Sequence, residues 1–232
     1  MVKIYIDPGH GGSDPGSQAY GLQEKNVTLD IAKRIRSYLN KNYTGHTIKM
    51  SRTTDKTVSL SARTKEANRW GADFFLSVHI NAGGGTGYED YIHSSLSNTS
   101  QTAKYRTIIH DKIIKETKVR DRGKKKANFA VLRTSAMSAV LTENMFIDTK
   151  ADANKLKSSV FLNKLAKAHA DGIAKAFKLK KKTSSKPPTK PGKETFYRVV
   201  AGSYKNRKNA EAQMAKLKAA GVKGVFIDVY KE

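Results

Sequence analysis

Residues 72–82 read Ala-Asp-Phe-Phe-Leu-Ser-Val-His-Ile-Asn-Ala, and this stretch decides the fold. Residues 73–79 form a nearly continuous apolar run, too short for a core helix, so they read as a strand buried on both faces. Such a strand belongs to a sheet covered by helices. Working outward, residues 3–7 (Lys-Ile-Tyr-Ile-Asp) read as a strand, residues 47–52 alternate, residues 88–93 follow a glycine run, and residues 139–143 are apolar. Between them lie helical patterns. Residues 26–42 place Val27, Ile31, Ile35 and Leu39 at i, i+4 spacing, one stripe of an amphipathic helix. Residues 59–70 read as a helix capped by Ser59, and residues 100–118 and 160–177 as two more. The alternation predicts an α/β sandwich with helices on both faces of a largely buried sheet. In open sheets of this kind, chemistry gathers where strands end and loops begin.

Residues 179–194 (LKKKTSSKPPTKPGKE) combine Lys, Ser, Thr, Pro and Gly with almost no apolar content, so they read as an extended linker. They divide a domain at 1–178 from a tail at 195–232. The formal charge is +24, of which residues 179–232 contribute +10 through fourteen Lys and Arg against four acids. A field of that size draws the protein to polyanions such as nucleic acid, anionic lipid or an acidic cell wall. No recognition helix or base-stacking aromatic array supports a specific nucleic-acid partner. No run of ~20 apolar residues is available for a membrane span. Cysteine is absent, which excludes disulfides and thiolate chemistry and leaves His, Asp and Glu for any metal. Met1 runs straight into the first strand with no leader to read, so release by lysis or through a hole made by another protein is expected.

Three elements end in groups suited to a metal. His10 follows the first strand in Asp7-Pro8-Gly9-His10-Gly11-Gly12, His79 closes the run quoted above, and Glu24 stands just before the helix near Asn26. Two imidazoles and a carboxylate make a catalytic zinc set with the fourth tetrahedral position left for water. Glu143, in Val140-Leu141-Thr142-Glu143-Asn144, ends another apolar strand and suits a general base. Each group also has a plain structural reading. A histidine after a strand is more often a turn residue, and the glycines around His10 serve turns as readily. Glu24 suits a helix N-terminus by its charge, and Glu143 suits pairing with a lysine. No Gly-Lys-Ser/Thr follows the glycines, so a nucleotide loop is excluded. Of the other histidines, His169 shares a face with Leu162, Leu165 and Ile173 and reads as core. His46 reads as a turn residue, and spacing suggests no partner for His93 or His110. The basic stretch at 120–130, with Arg122, reads as a rim or simply as surface.

The strings IYIDPGHGGSDPGS, GLQEKNVTLDIAKRI, SRTTDKTVSLSARTKEAN, ADFFLSVHINA and AVLTENMFID, in this order, resemble the type-3 N-acetylmuramoyl-L-alanine amidases, a family of bacterial autolysins and phage endolysins. The resemblance spans roughly residues 2–178. It implies a mixed-sheet α/β/α fold like that of zinc exopeptidases, one zinc per chain on His10, Glu24 and His79, and Glu143 as the catalytic residue. It also implies hydrolysis of the amide between N-acetylmuramic acid and L-alanine in peptidoglycan, and the +24 charge adds anionic wall polymers as further expected partners. Many relatives carry proline where Ser138 stands and glycine where Met145 stands. A zinc peptidase acting on the peptide stem would use the same four residues, and a non-catalytic wall-binding protein is the alternative from another class. The tail, with strand-like residues 196–204, a helix at 209–220 and a strand at 224–230, looks like one strand–helix–strand repeat of the SPOR peptidoglycan-binding module. At about 38 residues it is below the ~40 at which a domain folds unaided, so a homodimer through residues 195–232 is expected.

Overall fold

The structure, a computed structural model, describes residues 1–182, 202–222, 224–227 and 229. Two compact units divide at Thr183 and Ser184. The first contains, in order, β1 (Val2–Pro8), β2 (Gln18–Ala19), β3 (Leu22–Gln23), α1 (Glu24–Asn42), β4 (Tyr43–Thr44), β5 (His46–Met50), α2 (Leu60–Trp70), β6 (Phe74–Asn81), β7 (Tyr88–His93), α3 (Gln101–Thr117), β8 (Asp121–Ala127), α4 (Ala130–Arg133), β9 (Ser138–Phe146), α5 (Lys150–Lys157), α6 (Ser159–Ala176) and β10 (Lys180–Lys181). The second contains α7 (Arg207–Ala219).

Six strands form one mixed sheet in the order β5-β1-β6-β9-β7-β8. All neighbours are parallel except β7 and β9. Alternation along each strand divides the core. Ile4, Ile6, Leu76, Val78 and Val140 face the larger cluster, which includes Ile31, Ile35, Leu39, Ile109, Ile113, Leu165 and Ile173 from α1, α3 and α6. Tyr5, Phe75, Ala139 and Leu141 face a smaller cluster closed by Ala67 of α2 and by Val131 and Leu132 of α4. This is the expected α/β/α sandwich, with one thick layer and one thin one. Ser59 and Ser100 cap α2 and α3, accepting hydrogen bonds from the amides of Ala62 and Ala103 at 3.2 Å each.

Elements that lack an apolar rhythm are additions to the sequence reading. β8 reads Asp-Arg-Gly-Lys-Lys-Lys-Ala, and its strand character comes from the parallel ladder with β7. Residues 179–182, expected to open the linker, belong to the first unit. Leu179 packs on the core, Lys180–Lys181 pair with Tyr43–Thr44, and the Lys182 amide donates to Asn42 O at 2.7 Å. The backbone ladder holds this lysine run although its side chains stay exposed. The other residues expected in the linker, 183–194, lie outside the described residues. In the tail, the expected helix is α7, which buries none of its residues. Of the strands expected at 196–204 and 224–230, residues 202–204, 224–227 and 229 are described and form no strand pairing among the described residues; the others lie outside them.

Candidate metal centre and active site

The carboxyl ends of β1, β6 and β9 meet at one edge of the sheet. His10 lies two residues beyond β1, His79 is in the last turn of the pleat of β6, and Glu24 is the first residue of α1. The sequence places these three far apart, and the fold brings their donor atoms within 4.8 Å of one another. Glu24 lies between the two imidazoles, with Oε2 3.2 Å from His10 Nε2 and Oε1 3.0 Å from His79 Nδ1. Its carboxylate also accepts from the amides of Ser17 at 2.9 Å and Ile80 at 3.0 Å. On the far side of His10, Nδ1 lies 2.8 Å from Asp14 Oδ2, an arrangement that fixes the tautomer presenting Nε2.

Glycines make room for this cluster. A side chain at Gly9 would fall 2.3 Å from the His79 ring, and one at Gly16 would fall 2.7 Å from both Glu24 Oε2 and His10. Donors of two nitrogens and one oxygen, this close and held by such a cradle, fit a tetrahedral ion with ligands at ~2.0–2.2 Å. The charges agree. Hydrogen bonding to Glu24 is the main force raising His10, to about 9 against the pull of burial. Burial would lift the Glu24 carboxyl, but hydrogen bonds from both histidines and from Ile80 hold it well below the usual range. His79 is drawn up because Glu24 and Glu143 outweigh its desolvation.

Glu143 is in register with His79 across β6 and β9. Residues level with each other on neighbouring strands point to the same face, so it stands beside the histidine on the thin side of the sheet. Its Oε2 is buried and has no hydrogen-bond partner among the described residues. Burial raises this carboxyl to about 7, partly offset by the charge of His79. Two residues on, the register with β6 shifts between His79 and Asn81, and Met145 takes φ 73°. That bulge aims the end of β9 at the site.

Residues the sequence reading missed hold these groups in place. Arg63, almost fully buried, donates to Asp7 Oδ1 and Pro8 O at 2.7 Å and to His10 O at 2.8 Å. Arg52 donates to Gly9 O at 2.8 Å and Lys25 O at 2.7 Å, tying the His10 loop to α1. On the other side of Glu143, Glu89 of β7 is level with it. The Glu89 carboxylate accepts from Tyr91 at 2.6 Å, Asn81 at 2.8 Å, Arg122 at 2.7 Å and Lys125 at 2.6 Å. A carboxylate inside a strand was the one available signal, and it names no partner. The other histidines stay away from the metal cluster. His169 is core, as read, and burial lowers it to about 4. His110 lies 3.0 Å from both Asp90 and Asp121, partners invisible to spacing. His46 starts β5 beside Asn40, and His93 meets Ser95 and Asn128.

A sequence profile for N-acetylmuramoyl-L-alanine amidase matches residues 4–175, and one for the SPOR domain matches residues 162–228. The chain is 50% identical over 227 residues to the sporulation-specific N-acetylmuramoyl-L-alanine amidase of Bacillus subtilis (strain 168), covering 98% of this chain and 85% of that protein. It is 43% identical over 194 residues to the endolysin of Bacillus phage SPP1, covering 82% and 71%. Among solved structures, the N-acetylmuramoyl-L-alanine amidase from Clostridium difficile 630 superposes with a TM-score of 0.73 at 32% identity, covering 76% of this chain and 97% of that one. The catalytic domain of CwlV from Bacillus (Paenibacillus) polymyxa var. colistinus gives 0.72 at 29% identity, covering 78% and 100%.

Proposed function

The chain belongs to the N-acetylmuramoyl-L-alanine amidase family, and from that premise we propose that His10, Glu24 and His79 hold one catalytic zinc ion beside Glu143 as general base. The chain hydrolyses the amide between N-acetylmuramic acid and L-alanine in peptidoglycan, and it acts on the cell wall. The observation that carries the proposal is the convergence of three candidate metal donors within 4.8 Å next to a buried carboxylate oxygen with no partner among the described residues. Zinc, when bound, supplies Lewis acidity, polarising the amide carbonyl and lowering the pKa of water from ~15.7 toward ~7. The protein supplies the proton path. Glu143 Oε2 takes a proton from the attacking water as its oxygen bonds to the carbonyl carbon. The same carboxyl returns the proton to the alanine nitrogen as the C–N bond breaks. A carboxyl held near 7 suits both halves of that transfer.

Digestion of purified wall, with identification of the new ends, tests this. The wild type should release alanine amines paired with free muramic acid carboxyls. His79→Ala should lose metal and turnover together. Glu143→Gln should keep one zinc per chain while turnover falls roughly 10²–10⁴-fold. Full activity in a metal-free preparation, or loss of zinc from the Gln variant, overturns the assignment.

The SPOR match gives the chain a second attachment to peptidoglycan. We infer that two tails associate through residues 195–232, giving a homodimer. The unit is small, α7 buries nothing, and Val222 and Val229 are 48% and 75% exposed. The high positive charge supports anionic wall polymers as additional partners.

A further inference from the structure

The proposed active site is one part of a longer row. His79 on β6, Glu143 on β9 and Glu89 on β7 are level with one another across three neighbouring strands. The register between β7 and β8 shifts opposite Glu89, between Tyr88 and Asp90. That irregularity contains Arg122 and Gly123, the latter at φ 89°, and it turns Arg122 back onto Glu89. The row therefore runs from metal ligand to base to buried carboxylate to two cations.

Glu89 is 2% exposed, whereas the side chains of Arg122 and Lys125 are 27% and 37% exposed. Burial alone would raise the Glu89 carboxyl, yet the hydrogen bonds from Lys125, Tyr91 and Arg122 hold it at about 2. One fixed negative charge thus anchors two positive ones, and the excess faces solvent beside the site. Arg122 bonds Glu89 through Nε alone and lies over the Phe146 ring at 4.7 Å. Its two Nη groups have no partner among the described residues. A guanidinium locked at one nitrogen, with the outer edge of its fork free, is preorganised to take a carboxylate.

We propose that Arg122 and Lys125, anchored on Glu89, form a subsite for a carboxylate of the peptide released by cleavage. The inference rests on the reading that the scissile amide lies between the metal ligands and Glu143. In the uncleaved substrate the muramic acid carboxyl is tied up in the scissile amide and the acetylated sugars are neutral, so an anion near the cut belongs to the peptide. Strands lie ~4.8 Å apart, which puts β8 two strands, roughly 10 Å, from β9. An extended peptide advances ~3.3–3.6 Å per residue. The subsite therefore reads an acidic group within about three residues of the amide.

The test compares two soluble muramoyl-peptides, one with free stem carboxylates and one with them amidated. The enzymes are full-length wild type, Arg122→Gln, Lys125→Met and Glu143→Gln. Each cation variant leaves Glu89 its other cation, so the fold is retained, which thermal melts verify. With the free-carboxylate substrate, each should raise KM about 10-fold or more, the worth of a hydrogen bond to a charged group, with kcat within about twofold. With the amidated substrate, wild type and cation variants should have equal KM. Arg122→Lys should recover part of the loss. Equal losses on both substrates, or an unchanged KM on the free-carboxylate one, overturn the subsite. Undiminished turnover in Glu143→Gln instead overturns the catalytic reading beneath it.

Discussion

Met145 shows how one residue carries two opposed effects. Its φ of 73° lies in the left-handed region, which costs a side chain roughly 1–2 kcal/mol. Its side chain is fully buried in the larger core, worth about 1.5–3 kcal/mol. Burial wins, and a left-handed turn that glycine would make without strain is made here with methionine. Met145→Gly should destabilise the protein, yet by about 1 kcal/mol less than Met145→Ala, which loses the same packing and keeps the strain. Urea unfolding of both variants measures this. The proposed metal ligands give a second residue-level expectation. His10 is raised to about 9, so in metal-free protein its contribution is complete below its ordinary 6.5 and is lost as pH rises through 9. Glu24 is depressed, so its contribution is present above its ordinary value and is lost in acid. Zinc needs these ligands deprotonated, so its grip strengthens with pH. The melting temperature lost on chelation should therefore be larger at pH 9 than at pH 6. A constant loss would count against these ligands.

Elements matter through what clamps them. The turn from β1 to His10 carries no apolar side chains to fix it, and Arg63 and Arg52 hold its carbonyl groups instead. Arg63 also pairs with Asp7, which accepts from Ser51 at 2.6 Å and Ser77 at 3.0 Å. Removing one partner of a buried pair leaves the other charge uncompensated, at ~3–5 kcal/mol. Arg63→Met should lose about that much, and Asp7→Asn with Arg63→Met should lose less than the sum of the single changes, because the pair is coupled. Additive losses in chemical denaturation would mean that the arginine acts on the loop alone. β8 is the contrasting element. It sits at the sheet edge on β7, and its lysines suit an edge because charge discourages pairing with another chain. Nothing in its own residues announces a strand, whereas β6 and β9 declare themselves by apolar composition.

At the scale of the whole molecule, the catalytic unit and the tail make separate predictions. Sedimentation of the full chain should show a dimer, and a version ending at Lys182 should be monomeric and still cut soluble fragments. A monomeric full chain over a wide concentration range rejects the tail pairing. A truncated enzyme that clears walls as well as its parent would remove the tail from wall recognition. Tails paired as proposed would hold two enzymes on one wall and add avidity without a new contact. The sequence alone determined the alternation of strands and helices and the core faces of α1 and α6, and it offered His10, Glu24, His79 and Glu143 as strand-end and loop candidates whose roles only the family resemblance implied. These are local signals, because burial period and strand-end chemistry are written in neighbouring residues. Only the tertiary structure decided that Glu24 lies between the histidines, that Glu89 is level with Glu143, and that Arg63 reaches the His10 carbonyl. Each of those depends on which strands become neighbours and in what register. Register is a property of the paired sheet, since a one-residue slip would turn every one of these side chains to the opposite face.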